Sequence, residues 1–110
     1  MGNVPKISEA EWEVMMVLWT RSPQTAAEVI EGLAGRKDWN PRTIKTLLNR
    51  LVKKSALGFS TEGKRYLYRP MVTRAQCVRA EGRSFLKRVF GGEAGAMPWY
   101  FRRRSHHPLL

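Results

Sequence analysis

The spacing of apolar residues predicts three short helices in the first half of the chain. Apolar side chains recur every three or four residues over 9–21, over 26–34 and over 41–54. This is the period of helices that each bury one face. The three segments are therefore expected to pack together around a shared core. The buried face predicted for the first helix consists of Trp12, Met15, Met16 and Trp19.

Capping sequences mark where these helices begin. A Ser or Thr followed three residues later by Glu or Gln can exchange two hydrogen bonds with the first turn. Asn40 and Pro41 start the third helix differently, because Asn caps a helix and Pro is tolerated at its first position. The predicted capping pairs are Ser8 with Glu11, Thr25 with Glu28 and Thr73 with Gln76.

After the third helix the apolar period changes from 3.6 to 2. Leu57 and Phe59 alternate with small or polar residues, and Tyr66 and Tyr68 do so again after a turn expected at 62–63. This pattern predicts a β-hairpin. The alternating tyrosines are expected to pack on the sheet rather than to form an exposed base-stacking platform.

A second long helical pattern follows the hairpin over 73–90. The predicted fold is therefore mainly α with a small β-hairpin. Residues 6–71 are expected to form a winged helix-turn-helix DNA-binding domain, followed by one long helix within 72–92. Residues 93–110 lack a helical or strand period and are expected to be a disordered basic tail.

The excess of basic over acidic residues indicates which class of partner the protein binds. Twenty Lys and Arg stand against nine Asp and Glu, which gives a net charge of +11 and a pI near 10.7. Such an excess attracts polyanions. The longest apolar run, Val14–Trp19, is far shorter than the roughly 20 residues of a membrane-spanning helix. With no signal-peptide pattern at the start, the expectation is a cytoplasmic protein without a membrane partner.

Neither a metal site nor an enzyme active site is favoured. The single cysteine, Cys77, excludes an internal disulfide and a multi-thiolate metal site. Asp38 is the sole aspartate and both histidines lie near the C-terminal end, so a nucleophile, base and orienting group cannot be assembled. No cofactor is expected.

The third helix carries the candidate chemistry. Its aliphatic stripe would pack inwards, and the remaining surface is cationic and amide-bearing without an acidic residue. Arg can pair bidentately with guanine and Asn with adenine in the major groove, whereas Lys and Arg elsewhere neutralise phosphates. The alternative, a merely solvated amphipathic face, is weakened because a basic hairpin follows. The base-reading candidates are Arg42, Thr43, Lys45, Thr46, Asn49 and Arg50, and the backbone candidates are Lys53, Lys54, Lys64 and Arg65.

Four blocks of sequence resemble those of a known family. "ISEAEWEVMMVLW", "TAAEVIEGL", "WNPRTIKTLLNRLVKKSAL" and "EGKRYLYRP" follow in the order and spacing of the penicillinase repressor family, the BlaI, MecI and CopY type of bacterial winged-helix regulators. The resemblance covers about 6–92. It implies a transcriptional repressor whose homodimer binds a two-fold operator in double-stranded DNA. In that family a membrane sensor's signal leads to proteolysis of the repressor, or a metal releases it.

The chain also departs from the family pattern. Ser55 stands where the family generally has Gly, and the cysteine-rich tail of the copper-responsive branch is missing. The period is lost after Met97, which suggests a truncated or frameshifted reading frame as a hypothesis. Dimerisation would then depend on the long helix, a remnant of the dimerisation region, through Val78, Phe85 and Val89 unless this stripe packs on its own domain.

Other functions compete with specific repression. Composition alone fits a sequence-indifferent basic protein that binds nucleic acid equally well. A non-functional truncated repressor and a protein-interaction module are further alternatives. Sequence preference and salt dependence of binding would separate them.

Overall fold

The computed structural model of the protein describes residues 4–90. Three helices, a hairpin and a long helix follow one another, which confirms the predicted class, mainly α with a small β-hairpin. Residues 93–110, for which disorder was predicted, lie outside the described part. The elements are α1 (Glu9–Thr20), α2 (Ala26–Leu33), α3 (Pro41–Lys53), β1 (Leu57–Glu62), β2 (Arg65–Pro70) and α4 (Arg74–Phe90).

All three predicted capping boxes are formed. In each box the hydroxyl accepts a hydrogen bond from the backbone N–H three residues later, and the Glu or Gln side chain accepts one from the backbone N–H of the cap residue. Two backbone N–H groups at each helix start are thereby satisfied. Local sequence alone is sufficient to place these three helix starts.

The core lies between α1, α2 and α3 and is closed by the base of the hairpin. In α1 the buried face differs from the predicted one by about one position. Val14, Met15 and Leu18 are fully buried, whereas Trp12 and Trp19 are half-buried and meet edge to face with ring centroids 5.3 Å apart. The fully buried members of the core are Val14, Met15, Leu18, Val29, Leu33, Leu48, Leu51 and Ala56.

The end of α3 is a Schellman motif. Ser55 adopts φ +65°, its N–H donates to Val52 O, and Ala56 N–H donates to Leu51 O over 2.9 Å. Ser55 therefore adopts the left-handed backbone conformation that is expected at a position where the family has Gly. This motif turns the chain directly from α3 into β1.

The hairpin is a regular antiparallel pair with Leu57 opposite Pro70 and Glu62 opposite Arg65. Its two-residue loop is Gly63–Lys64, with Gly63 at φ +63°, so the turn predicted at 62–63 lies one residue later. Glu62 remains in the ladder because Gly63 takes the left-handed position.

A short bridge ties the hairpin to the helices. Gln24, just before α2, exchanges backbone hydrogen bonds of 3.0 and 2.8 Å with Tyr68 of β2. The Gln24 amide also donates to the carbonyls at the end of α1, to Val17 O over 3.1 Å and to Arg21 O. The base of the hairpin is thus held in place by hydrogen bonds as well as by apolar packing.

The chain divides into two compact units, the first ending at Cys77 and the second beginning at Val78. The domain boundary predicted near residue 71 remains a prediction. Within residues 4–90, no helix has the length and apolarity needed to cross a membrane.

Candidate nucleic-acid interface

The exposed surface of α3 is assembled from the polar positions of its sequence. Asn40 caps the helix, with Oδ1 accepting a 2.9 Å hydrogen bond from Thr43 N–H. No carboxylate follows in the helix, so its cations have no acidic partner within the helix itself. The exposed residues of this surface, hereafter the α3 front, are Arg42, Thr43, Lys45, Thr46, Asn49, Arg50 and Lys53.

Aliphatic packing fixes the α3 front from behind. Leu48 and Leu51 are fully buried, and Ile44 and Leu47 retain only 2% and 3% of their surface. Burying such side chains stabilises the fold by about 1.5–3 kcal/mol each. The helix therefore cannot rotate about its axis without exposing this stripe, and the orientation of the α3 front is set by the core.

Lys54, directly after α3, has hydrogen-bond partners within the fold. Its Nζ lies 2.7 Å from Glu11 Oε1 and donates to Lys6 O, also over 2.7 Å. The Glu11 side chain is 3% exposed and that of Lys54 33%. Lys54 thus joins the end of α3 to the start of α1, and the structure gives it an internal role that the sequence did not indicate.

The ion pair decides the protonation state of Glu11. Burial alone would raise the pKa of the Glu11 carboxyl, but hydrogen bonds from Lys54 and from the Ser8 backbone N–H outweigh it. The net effect holds the pKa of Glu11 below its ordinary value. A charged carboxylate is therefore accommodated in the buried face of α1.

Two further cations stand at the hairpin tip. Lys64 is exposed in the loop, and Arg65 donates to Glu62 Oε1 over 2.8 Å in a pair that is well exposed on both sides. An exposed pair of this kind is weak, so Arg65 can exchange this partner for a phosphate. The hydrogen bond from Thr25 N–H lowers the pKa of Glu28, and the charge of Arg65 contributes to the same shift.

The structure separates the predicted site residues into three groups. Six base-reading candidates and Lys53 share the α3 front, Lys64 and Arg65 lie at the hairpin tip, and Lys54, one-third exposed, pairs with Glu11. Of the predicted dimer contacts, Val78 is 51%, Phe85 53% and Val89 52% exposed on α4. The described residues contain no group of three or more His, Cys, Asp or Glu side chains that could hold a metal ion.

Sequence reasoning missed two features of the hairpin. Arg69 is exposed on β2, which adds a third cation to the element. Phe59 and Tyr66 are 43% and 50% exposed, whereas the sequence predicted only that Tyr66 and Tyr68 pack on the sheet. The available signal was hairpin length, since its outer residues extend beyond what a small core can cover.

Comparison with known proteins identifies one protein family. The family model of the penicillinase repressor matches residues 7–106, farther along the chain than the resemblance noted above. The penicillinase repressor of Bacillus licheniformis is 39% identical over 97 residues, which cover 88% of this chain and 76% of that protein. The methicillin resistance regulatory protein MecI of Staphylococcus aureus strain N315 is 34% identical over 87 residues, covering 79% and 71%.

Solved structures agree with the sequence comparison. The solution structure of the DNA-binding domain of the repressor BlaI superposes with a TM-score of 0.62 at 42% identity and covers 69% of this chain and 93% of that one. The monomeric form of Bacillus licheniformis BlaI in complex with the blaP half-operator gives a TM-score of 0.60 at 42% identity, with the same coverage.

Proposed function

Because this chain belongs to the penicillinase repressor family, we propose that it is a bacterial transcriptional repressor that places α3 in the major groove of operator DNA. The observation that carries the proposal is the α3 front, an uninterrupted cationic and amide-bearing surface on a helix anchored from behind. A related repressor has been solved in complex with a half-operator, which supports operator DNA as the partner. Binding to chromosomal DNA would place the protein in the cytoplasm.

We assign the recognition of DNA bases to the α3 front. The guanidinium groups of Arg42 and Arg50 offer two parallel donors to the O6 and N7 atoms of guanine, and the Asn49 amide matches adenine. Thr43, Lys45 and Thr46 supply further donors near the helix start. Each good bidentate pair is worth about 1–3 kcal/mol of discrimination against a wrong base.

Phosphate contacts fall to Lys53, Lys64 and Arg65. All three are exposed, and two lie at the hairpin tip, which in winged-helix proteins flanks the major-groove helix. Lys54 is left out of this group because its ammonium already has two internal partners. These contacts would set register and orientation without reading sequence.

Two copies are needed for firm operator binding. A single module of this type buries roughly 600–1,000 Å² on DNA, which leaves its affinity modest unless a second copy binds beside it. The exposed stripe of Val78, Phe85 and Val89 supports pairing through α4. We therefore propose a weak homodimer on a two-fold operator.

Sequence-indifferent binding is the second candidate, favoured by the net charge of +11. The experiment starts with binding-site selection from random duplexes, followed by titrations against the selected duplex and a scrambled one at several salt concentrations. Arg50→Ala should lower the preference for the selected sequence. Lys64→Ala should weaken both duplexes alike and reduce the salt slope by about one. Arg79→Ala, an exposed arginine outside α3 and the hairpin, is the control.

Equal losses on both duplexes for Arg50→Ala and Lys64→Ala would refute the division into readers and phosphate contacts. If selection yields no enriched sequence, sequence-indifferent binding of DNA replaces repression as the proposed function. Binding that does not respond to salt would remove DNA as the ligand altogether, since phosphate contacts release counterions.

A further inference from the structure

Two aromatic rings stand exposed on the hairpin. Phe59 of β1 and Tyr66 of β2 are 43% and 50% exposed, and their ring centroids are 4.6 Å apart at an interplanar angle of 30°. Tyr68 lies behind them, 6.2 Å from Phe59 and 6.3 Å from Tyr66, and is buried. Nothing in the proposed division between base readers and phosphate contacts uses this pair, hereafter the aromatic platform.

The ladder explains why the rings share one side. In the register, Phe59 pairs with Tyr68 and Thr61 with Tyr66, so these four side chains point to the same face of the hairpin. Leu57 and Tyr68 on this face enter the core, whereas Phe59 and Tyr66 lie nearer the tip. The platform is therefore the continuation of the core-facing side of the hairpin beyond the residues that the core covers.

Of the three hairpin cations, one lies in the loop and two lie on the other face of the ladder. Lys64 occupies the loop, and Arg65 and Arg69 point to the opposite face of the ladder from Tyr66. The hairpin contains one acid, Glu62, which is paired with Arg65. A flat apolar surface on an otherwise cationic hairpin matches the chemistry of a nucleic-acid backbone, whose sugars present C–H surfaces between phosphates.

We infer that the Phe59–Tyr66 platform packs against the deoxyribose face of the DNA strand that flanks the site bound by α3, while Lys64 in the loop holds an adjoining phosphate. The inference rests on the proposed function, because it requires α3 to be docked on duplex DNA. It assigns the hairpin an apolar contact in addition to its ionic ones. Its contribution does not depend on counterion release.

The test compares two duplexes that share the selected operator sequence. One ends where the α3 site ends, and the other extends by about one helical turn on each side, which is enough to reach a flanking wing. Wild type should bind the longer duplex more tightly. Phe59→Ser with Tyr66→Ser should lower affinity for the longer duplex about tenfold, the scale of lost aromatic stacking, and leave the shorter one unchanged.

Salt dependence separates the rings from the cations. The double variant should keep the wild-type slope of log affinity against log salt, whereas Lys64→Ala should reduce it by about one. Tyr66→Phe is the matched control and should bind as wild type, because the ring and not the hydroxyl makes the contact. If the double variant fails to fold by circular dichroism, Tyr66→Ser alone should show a smaller loss on the longer duplex.

Three results overturn the platform while leaving operator binding by α3 intact. These are full affinity of a folded ring variant for the longer duplex, a loss accompanied by a lower salt slope, and a change of oligomeric state in place of a change in DNA affinity. Failure of wild type to bind either duplex at low salt overturns both the platform and the proposed function.

Discussion

At the scale of single residues, Ser55 stores strain that a glycine would release. Its φ of +65° costs a residue with a Cβ atom, whereas Gly reaches this region freely. Ser55→Gly should therefore raise the free energy of unfolding by about 0.5–1 kcal/mol. Urea denaturation followed by circular dichroism measures the change.

Ser60→Gly is the matched control for this substitution. Ser60 lies in β1 and is not among the positive-φ residues, so Gly there should lower the free energy of unfolding by about 0.5–1 kcal/mol. A loss of stability in both variants would contradict the assignment of strain to Ser55.

Glu11 gives the fold a dependence on pH. The pKa of Glu11 is depressed in the folded state, so its contribution is present above the unfolded pKa and is lost as pH falls through the folded pKa. Lys54→Met removes the hydrogen bond and the charge of the cation, both of which lower the pKa of Glu11, so this pKa is higher in the variant than in wild type. The variant should lose about 1–3 kcal/mol at neutral pH.

The variant should recover part of this loss on acidification. Its buried Glu11 carboxyl becomes protonated as pH falls through the raised pKa, which relieves the unpaired charge. Denaturation at several values between about pH 3 and pH 7 would show this recovery. A wild-type and a variant profile of identical shape would exclude Glu11 as the group concerned.

At the scale of elements, α3 combines an N-terminal cap with a reading surface. Asn40 Oδ1 holds Thr43 N–H, whereas Asn49 is exposed in the middle of the helix. Asn40→Ala should lower the free energy of unfolding by about 1 kcal/mol through loss of the cap. Asn49→Ala should leave stability within about 0.5 kcal/mol of wild type but change the preferred operator.

Thermal unfolding and binding-site selection on both variants make this comparison. The two asparagines share chemistry and differ in position, so each serves as the control for the other. Unchanged operator preference in Asn49→Ala would remove that residue from the base-reading group.

At the scale of the whole molecule, self-association should depend on the exposed stripe of α4. Phe85 lies at its centre and is 53% exposed, and replacing it with Glu places a charge where an apolar contact is proposed. Phe85→Glu should abolish the weak dimer and lower affinity for a two-fold operator while preserving affinity for a half-site. Sedimentation velocity over a range of concentrations, beside gel-shift assays, measures both effects.

Arg83→Glu is the control, because Arg83 is exposed on α4 away from the Val78, Phe85 and Val89 stripe. It should leave the sedimentation behaviour of the protein close to that of wild type. A tight dimer that persists in Phe85→Glu would contradict both the weak association and its proposed location.

The sequence by itself determined the features that depend on neighbours along the chain. The capping boxes and the Asn40 start of α3 were predictable because their partners lie three residues apart. The hairpin was predictable because the apolar period itself changes there. The residues of the α3 front were also predictable from the sequence. Helical spacing places them on one side of the helix and the aliphatic residues on the other.

Only the tertiary structure decided the features that depend on distant residues. Lys54 looked like another surface cation until Glu11, 43 positions away, proved to be its partner, and that pair also places a carboxylate in the buried face of α1. Tyr66 was expected to pack on the sheet, and its ring does lie against Phe59, but the limited reach of the core leaves both rings exposed. Pairing and coverage are properties of the assembled core, whereas helical periodicity is a property of the chain.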